Sequence, residues 1–130
     1  NAISIKRTYY VNDKAVTSFN ENDLVKIVLE PVIGAKAIDT EYQITDYLPA
    51  GLKVLSYTYN RLINYDPNLV YPYEINKQAV KFWSGKPSRA MHYYATVVSK
   101  GNFTAEPTVI KGFKVPTSQA FGQTATVTIK

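Results

Sequence analysis

His92 is the only histidine in the chain, and an imidazole is the side chain most often used to move a proton near neutral pH. It stands beside Tyr93 and Tyr94 in a run that reads as a strand, and no Gly-x-Ser-x-Gly elbow or other nucleophile motif is present for it to serve. His92 therefore reads as a strand residue. A metal site would want two or three histidines or carboxylates at close spacing, but Glu21, Asp23, Asp39, Glu41 and Asp46 fall in turns and at strand ends, where solvated turn carboxylates explain them. Any two carboxylates can meet in space, as glycoside hydrolysis would need, yet a small all-β chain implies no aromatic-lined cleft. With no cysteine there is no thiol nucleophile, thiolate metal site or disulfide frame, although this leaves the compartment open. The expectation is a chain that is not an enzyme, with no catalytic, cofactor-binding or metal-binding residues. Tyr57, Tyr59, Tyr65, Tyr71 and Tyr73 are the remaining group of interest. They could form a stacking platform for sugars, because tyrosine offers an apolar face with a polar tip; loop packing and edge-strand pairing explain them more simply.

The elements that carry these residues follow a period of two. Ile3, Ile5 and Tyr9 alternate with Ser4, Lys6 and Thr8, and Val25, Ile27 and Leu29 alternate with Lys26 and Glu30, so both runs read as half-buried strands. Asn12-Asp13-Lys14 is the first turn signal. The β-forming run Glu41 to Asp46 ends at Leu48-Pro49-Ala50-Gly51, where proline fixes φ and glycine permits a positive φ, which suits a tight turn. Strands are predicted at Leu52 to Tyr59, Ala79 to Trp83, Met91 to Ser99, Pro107 to Phe113 and Gln123 to Ile129. In the third of these runs Met91, Tyr93, Ala95 and Val97 share a face. In the last, Ala125, Val127 and Ile129 point one way and Thr124, Thr126 and Thr128 the other, as in an antiparallel strand with one wet face. The segment Asn60 to Asn76 holds Pro67 and Pro72, which oppose a long helix; it reads as a long loop with at most one helical turn.

These runs, with turn signals between them and no apolar helical spacing sustained over three turns, predict one all-β, immunoglobulin-like antiparallel sandwich of about seven to nine strands spanning residues 1–130. That length suffices for one core and not two. At 45% hydrophobic residues, with 11 Tyr, 5 Phe and one Trp, the chain is too apolar for a disordered segment. No run of about 18 apolar residues exists, and the start lacks a secretory-signal pattern, so no direct membrane insertion is expected. Asn1-Ala2 before the first alternating run suits a domain cut from a longer chain. The net charge of +5 comes from 15 scattered Lys and Arg with no cluster denser than Lys6-Arg7, which speaks against a nucleic-acid partner.

Several segments resemble a known family. Thr45-Asp46-Tyr47-Leu48-Pro49-Ala50-Gly51-Leu52 is similar to the "D-x-LPAG-L" turn of the last domain of bacterial alpha-2-macroglobulins and of bacterial and archaeal surface-protein repeats. Tyr93 to Pro107, with Gly101, Phe103 and Pro107 in order, resembles the macroglobulin pattern of a Tyr-led strand followed by "G-x-F-x-x-P-P". The opening Arg7-Thr8-Tyr9 and Asn22-Asp23-Leu24-Val25 are similar to the family's "R-x-Y... G-D-L-V". Departures are Thr108 for the second proline, Gly112 to Pro116 for a Met-Tyr-x-Pro segment, and Asn22 where the family often has glycine. The family's Cys-x-Glu-Gln thioester motif lies in another domain.

The resemblance implies a non-catalytic C-terminal module of an exported or envelope-associated bacterial protease trap, extracytoplasmic, working by domain packing and rearrangement. Its partners would be neighbouring domains of the parent chain and the proteases that the parent engages, and no cofactor is implied. The residues expected to matter are structural: Pro49 and Gly51 in the turn, Tyr93 and Phe103 plugging the core, Trp83 anchoring one sheet on the other, and Gly101 and Pro107 within the second motif. The alternative is an immunoglobulin-like repeat or binding head of a bacterial surface adhesin or stalk, in which a Lys to Asn crosslink in the core is one recognisable feature. A sugar-binding module, dependent on Tyr71 or Tyr73, is a third reading.

Overall fold

The computed structural model describes residues 2–58 and 65–130, and these form thirteen strands and no helix. The possible helical turn in the Asn60 to Asn76 loop falls partly on residues 59–64, as does Tyr59, and that part lies outside the described residues.

The strands are β1 (Ile3–Val11), β2 (Lys14–Ala15), β3 (Ser18–Phe19), β4 (Leu24–Ile33), β5 (Glu41–Tyr47), β6 (Leu52–Val54), β7 (Glu74–Asn76), β8 (Ala79–Gly85), β9 (Met91–Val97), β10 (Gly101–Ala105), β11 (Val109–Gly112), β12 (Gln119–Phe121) and β13 (Ala125–Ile129). They make two five-stranded sheets, β2-β1-β4-β9-β6 and β12-β11-β5-β8-β7, and a three-stranded sheet, β10-β13-β3. Every ladder is antiparallel except β13 with β3. This is the predicted immunoglobulin-like sandwich. The count exceeds the expectation because β2, β3, β6, β7 and β12 are edge pieces of two or three residues, too short to show a period in sequence.

Alternation sets which side chains meet. Ile3, Ile5 and Tyr9 of β1, with Val25, Ile27 and Leu29 of β4 and Tyr93 and Ala95 of β9, face Tyr42 and Ile44 of β5, Val80 and Phe82 of β8 and Ile110 of β11 in one cluster. Phe19, Val127 and Ile129 fill the end closed by the third sheet. Asn12 and Asp13 form a two-residue hairpin loop between β1 and β2 with φ of 49° and 65°, the left-handed region that Asn and Asp tolerate best after glycine. Pro31 lies inside β4, a position that would cost a ladder bond in a central strand. Pairing of β4 with β9 stops at Leu29, so Pro31 has only β1 beside it.

The run predicted as a strand from Leu52 to Tyr59 pairs only as far as Val54. After Leu55 bonds to Tyr94 the chain leaves the edge of β9, and it returns where Leu69 bridges His92 and Val70 donates to the His92 carbonyl.

Candidate functional site

Asp46 and Arg7 form a buried ion pair. Their side chains are 0% and 3% exposed and lie 2.8 Å apart. Asp46 Oδ1 also accepts from Thr108 Oγ1 at 2.7 Å, and Oδ2 accepts from the Tyr93 hydroxyl. Arg7 Nη1 and Nη2 donate further to the carbonyls of Glu106 at 2.9 Å and Gln123 at 3.1 Å. Two buried charges are tolerated only when paired and hydrogen-bonded, and here each has several partners. Burial first, then the Asp46 charge and the hydrogen bond to it, push the Tyr93 pKa well above the usual tyrosine value, so the hydroxyl stays a donor. The result ties β1, β5, β9 and the segments before β11 and β13 together at one point. Every member is committed to another member, so the cluster offers no free base or nucleophile.

This corrects two expectations. Asp46 is fully buried, not a solvated turn residue, and Asp39 is 3% exposed. Asp39 Oδ1 accepts from the Thr40 N–H at 2.8 Å, and Oδ2 accepts from the N–H groups of Lys114 at 2.7 Å and Val115 at 2.8 Å, so it caps the Gly112 to Pro116 segment. The signal lay in parity: Asp46 follows Tyr42 and Ile44 on the inward side of β5, as Arg7 follows Ile3 and Ile5 in β1.

The turn after β5 brings Pro49 and Gly51 to the third sheet. The Leu52 N–H donates to the Pro49 carbonyl at 2.9 Å, and the Gly51 carbonyl accepts from Val98 at 2.8 Å. Gly51 does not have the positive φ expected of it; Gly101, at φ 137°, is the glycine that does among the described residues. Close approach is what requires Gly51, since a Cβ there would stand 2.6 Å from Phe103 Cε2. Phe103 is half-buried and packs on the core edge, Tyr93 packs on Phe82 with ring centroids 5.1 Å apart, and Pro107 is half-buried beside Thr108. Asn22, at the position where the resembled family often has glycine, has φ 74°, which explains the exchange.

Trp83 does not anchor one sheet on the other. It is 40% exposed on the outer face of β8, because inward parity in that strand belongs to Val80 and Phe82. Its indole stacks on Tyr73, with centroids 4.9 Å apart and planes 16° apart, and meets Phe113 edge-on at 5.3 Å.

His92 sits in β9 with Nδ1 at 2.9 Å from Asp66 Oδ2, and the Tyr94 hydroxyl donates to the same oxygen. Asn68 Nδ2 donates to the Ala90 carbonyl at 3.0 Å. The prolines thus mark a loop whose second half is pinned to β9. Tyr71 is part of this arrangement, its hydroxyl 2.7 Å from Thr58 Oγ1. Burial works to raise the Asp66 pKa, but the hydrogen bonds from Tyr94, His92 and the Asn68 N–H outweigh it and hold the carboxyl below the usual aspartate value. Asp39 is likewise lowered, its backbone donors outweighing burial. Such groups contribute stability that is complete above the unfolded aspartate pKa of about 3.9 and is lost as pH falls through the lower, folded value. The melting temperature is therefore expected to hold down to about pH 4 and to fall below it. A D39N/D66N variant is expected to melt lower near neutral pH and to lose less on acidification. Equal acid slopes for the two proteins, measured by circular dichroism melts, would remove this assignment.

Among the described residues no three His, Asp or Glu side chains lie close enough to hold a metal ion. No helix is long and apolar enough to cross a membrane. All twelve lysines are half-buried or exposed, so the buried lysine that a core crosslink needs is missing.

No protein-family model matches the sequence, and no curated protein matches it. The backbone does match solved structures. Alpha-2-macroglobulin from Escherichia coli, in a structure running from domain MG7 to the C-terminus, superposes on 100% of this chain with a TM-score of 0.79 at 17% identity. The fold is that of an alpha-2-macroglobulin domain. The Escherichia coli alpha-2-macroglobulin activated by porcine elastase matches with a TM-score of 0.76 at 18% identity, and Salmonella alpha-2-macroglobulin reacted with methylamine with 0.72 at 16%, each over 100% of this chain. The chain spans 24% of the first of these chains, 13% of the second and 9% of the third. The first match places the likeness in the C-terminal region of alpha-2-macroglobulin, in agreement with the resemblance read from the turn at Pro49 and the strand led by Tyr93.

Proposed function

We propose that the chain is a non-catalytic, C-terminal module of a bacterial alpha-2-macroglobulin-like protease trap, exported from the cytoplasm, whose role is to pack against other domains and to shift with them. The observation that carries this reading is the match of the whole chain to the region from MG7 to the C-terminus at TM-score 0.79. The buried Arg7–Asp46 cluster suits such a role, because it ties five segments into one body that can move without deforming. The partners are then the neighbouring domains of the parent chain and, through the parent, the proteases it encloses.

The test is limited proteolysis of the full-length parent with a panel of proteases, read by native-gel mobility and by the activity of the bound protease. Cleavage is expected to compact the parent and to leave the protease active on small substrates while blocking large ones. Unchanged mobility and unchanged activity on large substrates would overturn the trap reading and favour a surface-stalk repeat.

A further inference from the structure

The outer face of the sheet β12-β11-β5-β8-β7 carries a polar groove on the side away from the core. Register fixes its layout. Lys111, Gln43 and Trp83 are direct cross-strand partners in one row, and Val109, Thr45 and Lys81 form the next. Tyr47 and Ala79 form a third row, extended by Asn76. Direct partners and residues two apart share a face, so all of these side chains line the same surface. Between the rows lies a cavity of about 330 Å3, lined among others by Gln43, Thr45, Tyr47, Asn76, Lys81 and Lys111. Trp83, beside Gln43 in the first row, stacks on Tyr73, and the Gln43 side-chain amide donates to the Tyr73 hydroxyl, which fixes the stack next to the cavity.

We infer that this groove binds an acidic oligosaccharide, a chain of hexoses that carries carboxylates. Three features select that chemistry. The stack leaves Trp83 40% and Tyr73 43% exposed, an apolar wall for the C–H face of a sugar ring. Amide and hydroxyl groups of Gln43, Asn76, Thr45 and Tyr47 offer both donors and acceptors, as sugar hydroxyls require. Lys81 and Lys111 supply positive charge. Glu74 lies 3.4 Å from Lys81, but Lys111 has no ion pair among the described residues and is the position for a sugar carboxylate. A docked protein domain fits less well, because charged residues are depleted at the centres of protein interfaces and here two lysines sit in the middle of the face. The inference does not depend on the trap reading, since this face is free of the core cluster.

Trp83 is the sole tryptophan, so its fluorescence reports on the groove alone. Titration with oligogalacturonate is expected to give a saturable change in Trp83 emission, and amide shifts in the NMR spectrum confined to Gln43, Asn76, Lys81 and Lys111. Lys111→Gln, an exposed substitution that leaves the fold intact, is expected to weaken binding about tenfold, the loss of one hydrogen bond to a charged group. Tyr73→Ala is expected to weaken it by a similar factor. A neutral cello-oligosaccharide should bind at least about tenfold more weakly than the acidic one. Binding that is indifferent to both substitutions, or equal for the neutral sugar, would overturn the proposal. So would a silent titration, and if acrylamide then fails to quench Trp83 within a longer parent chain, the face belongs to a neighbouring domain. None of these outcomes bears on the protease-trap test.

Discussion

Asp46→Ala is expected to destabilise the domain by about 3–5 kcal/mol, the largest effect of any single polar substitution in it. The substitution leaves Arg7 charged and 3% exposed with its carboxylate gone, and it leaves the buried hydroxyls of Tyr93 and Thr108 without their acceptor. Removing one partner of a buried pair costs far more than the pair adds relative to an apolar replacement, because the orphaned charge keeps its full desolvation penalty. Arg7 retains the carbonyls of Glu106 and Gln123, so part of its hydrogen bonding survives and the domain still folds. Urea unfolding followed by circular dichroism measures the difference. A loss under about 1 kcal/mol, the range of an exposed ion pair, would show that water reaches the cluster. Thr108→Val tests the same site more gently, with an expected loss of about 1–3 kcal/mol from one hydrogen bond to a charged group, since Asp46 Oδ1 keeps Arg7.

Gly51→Ala is expected to cost about 1–3 kcal/mol by overpacking. The added methyl would stand 2.4 Å from Ile129 Cδ1 and 2.6 Å from Phe103 Cε2, and these side chains can give way. It would also stand 2.9 Å from the Ser99 carbonyl oxygen, which is backbone held next to the Val98 and Ser99 bonds to Gly51 itself. The third sheet would have to move as a unit, so the unfolding midpoint should drop with little change in slope. Gly51→Ala combined with Phe103→Leu should recover part of the loss, since the smaller side chain yields space at one contact. A Gly51→Ala protein as stable as the parent would mean that the turn is not packed against β10 and β13 as described.

Trp83 and Asp46 depart from expectation for the same reason. Trp83 was placed in the core by residue type, since a lone tryptophan has more surface to bury than any other side chain. Its position in β8, however, shares parity with Lys81, and the alternation of Val80 and Phe82 already occupies the inner face. Asp46 reads as a solvated charge by type, although it continues an inward series that begins with two apolar residues, as Arg7 does in β1. In a strand the period of two outranks residue type. A positive and a negative charge, both on inward parity in different strands, are a signal for a buried pair that sequence alone contains.

What the sequence determined by itself was the class of the fold and most of its inner face. Strict alternation in β1, β4, β9 and β13 decides which side chains are buried, because a one-residue slip would turn each hydrophobic series to water. The two motifs also carried the macroglobulin likeness, which the backbone match bears out at 17% identity, where no family model or curated sequence does. Only the tertiary structure decided what lies more than one strand apart. The partner of Asp46 is 39 residues away in Arg7. The neighbours that forbid a side chain at Gly51 come from β10 and β13, and the Tyr73–Trp83 stack depends on which edge of β8 the returning loop takes. Local pattern fixes the face a residue occupies. Which residues share that face is fixed by strand order, and strand order arises from long-range closure that no short window of sequence records.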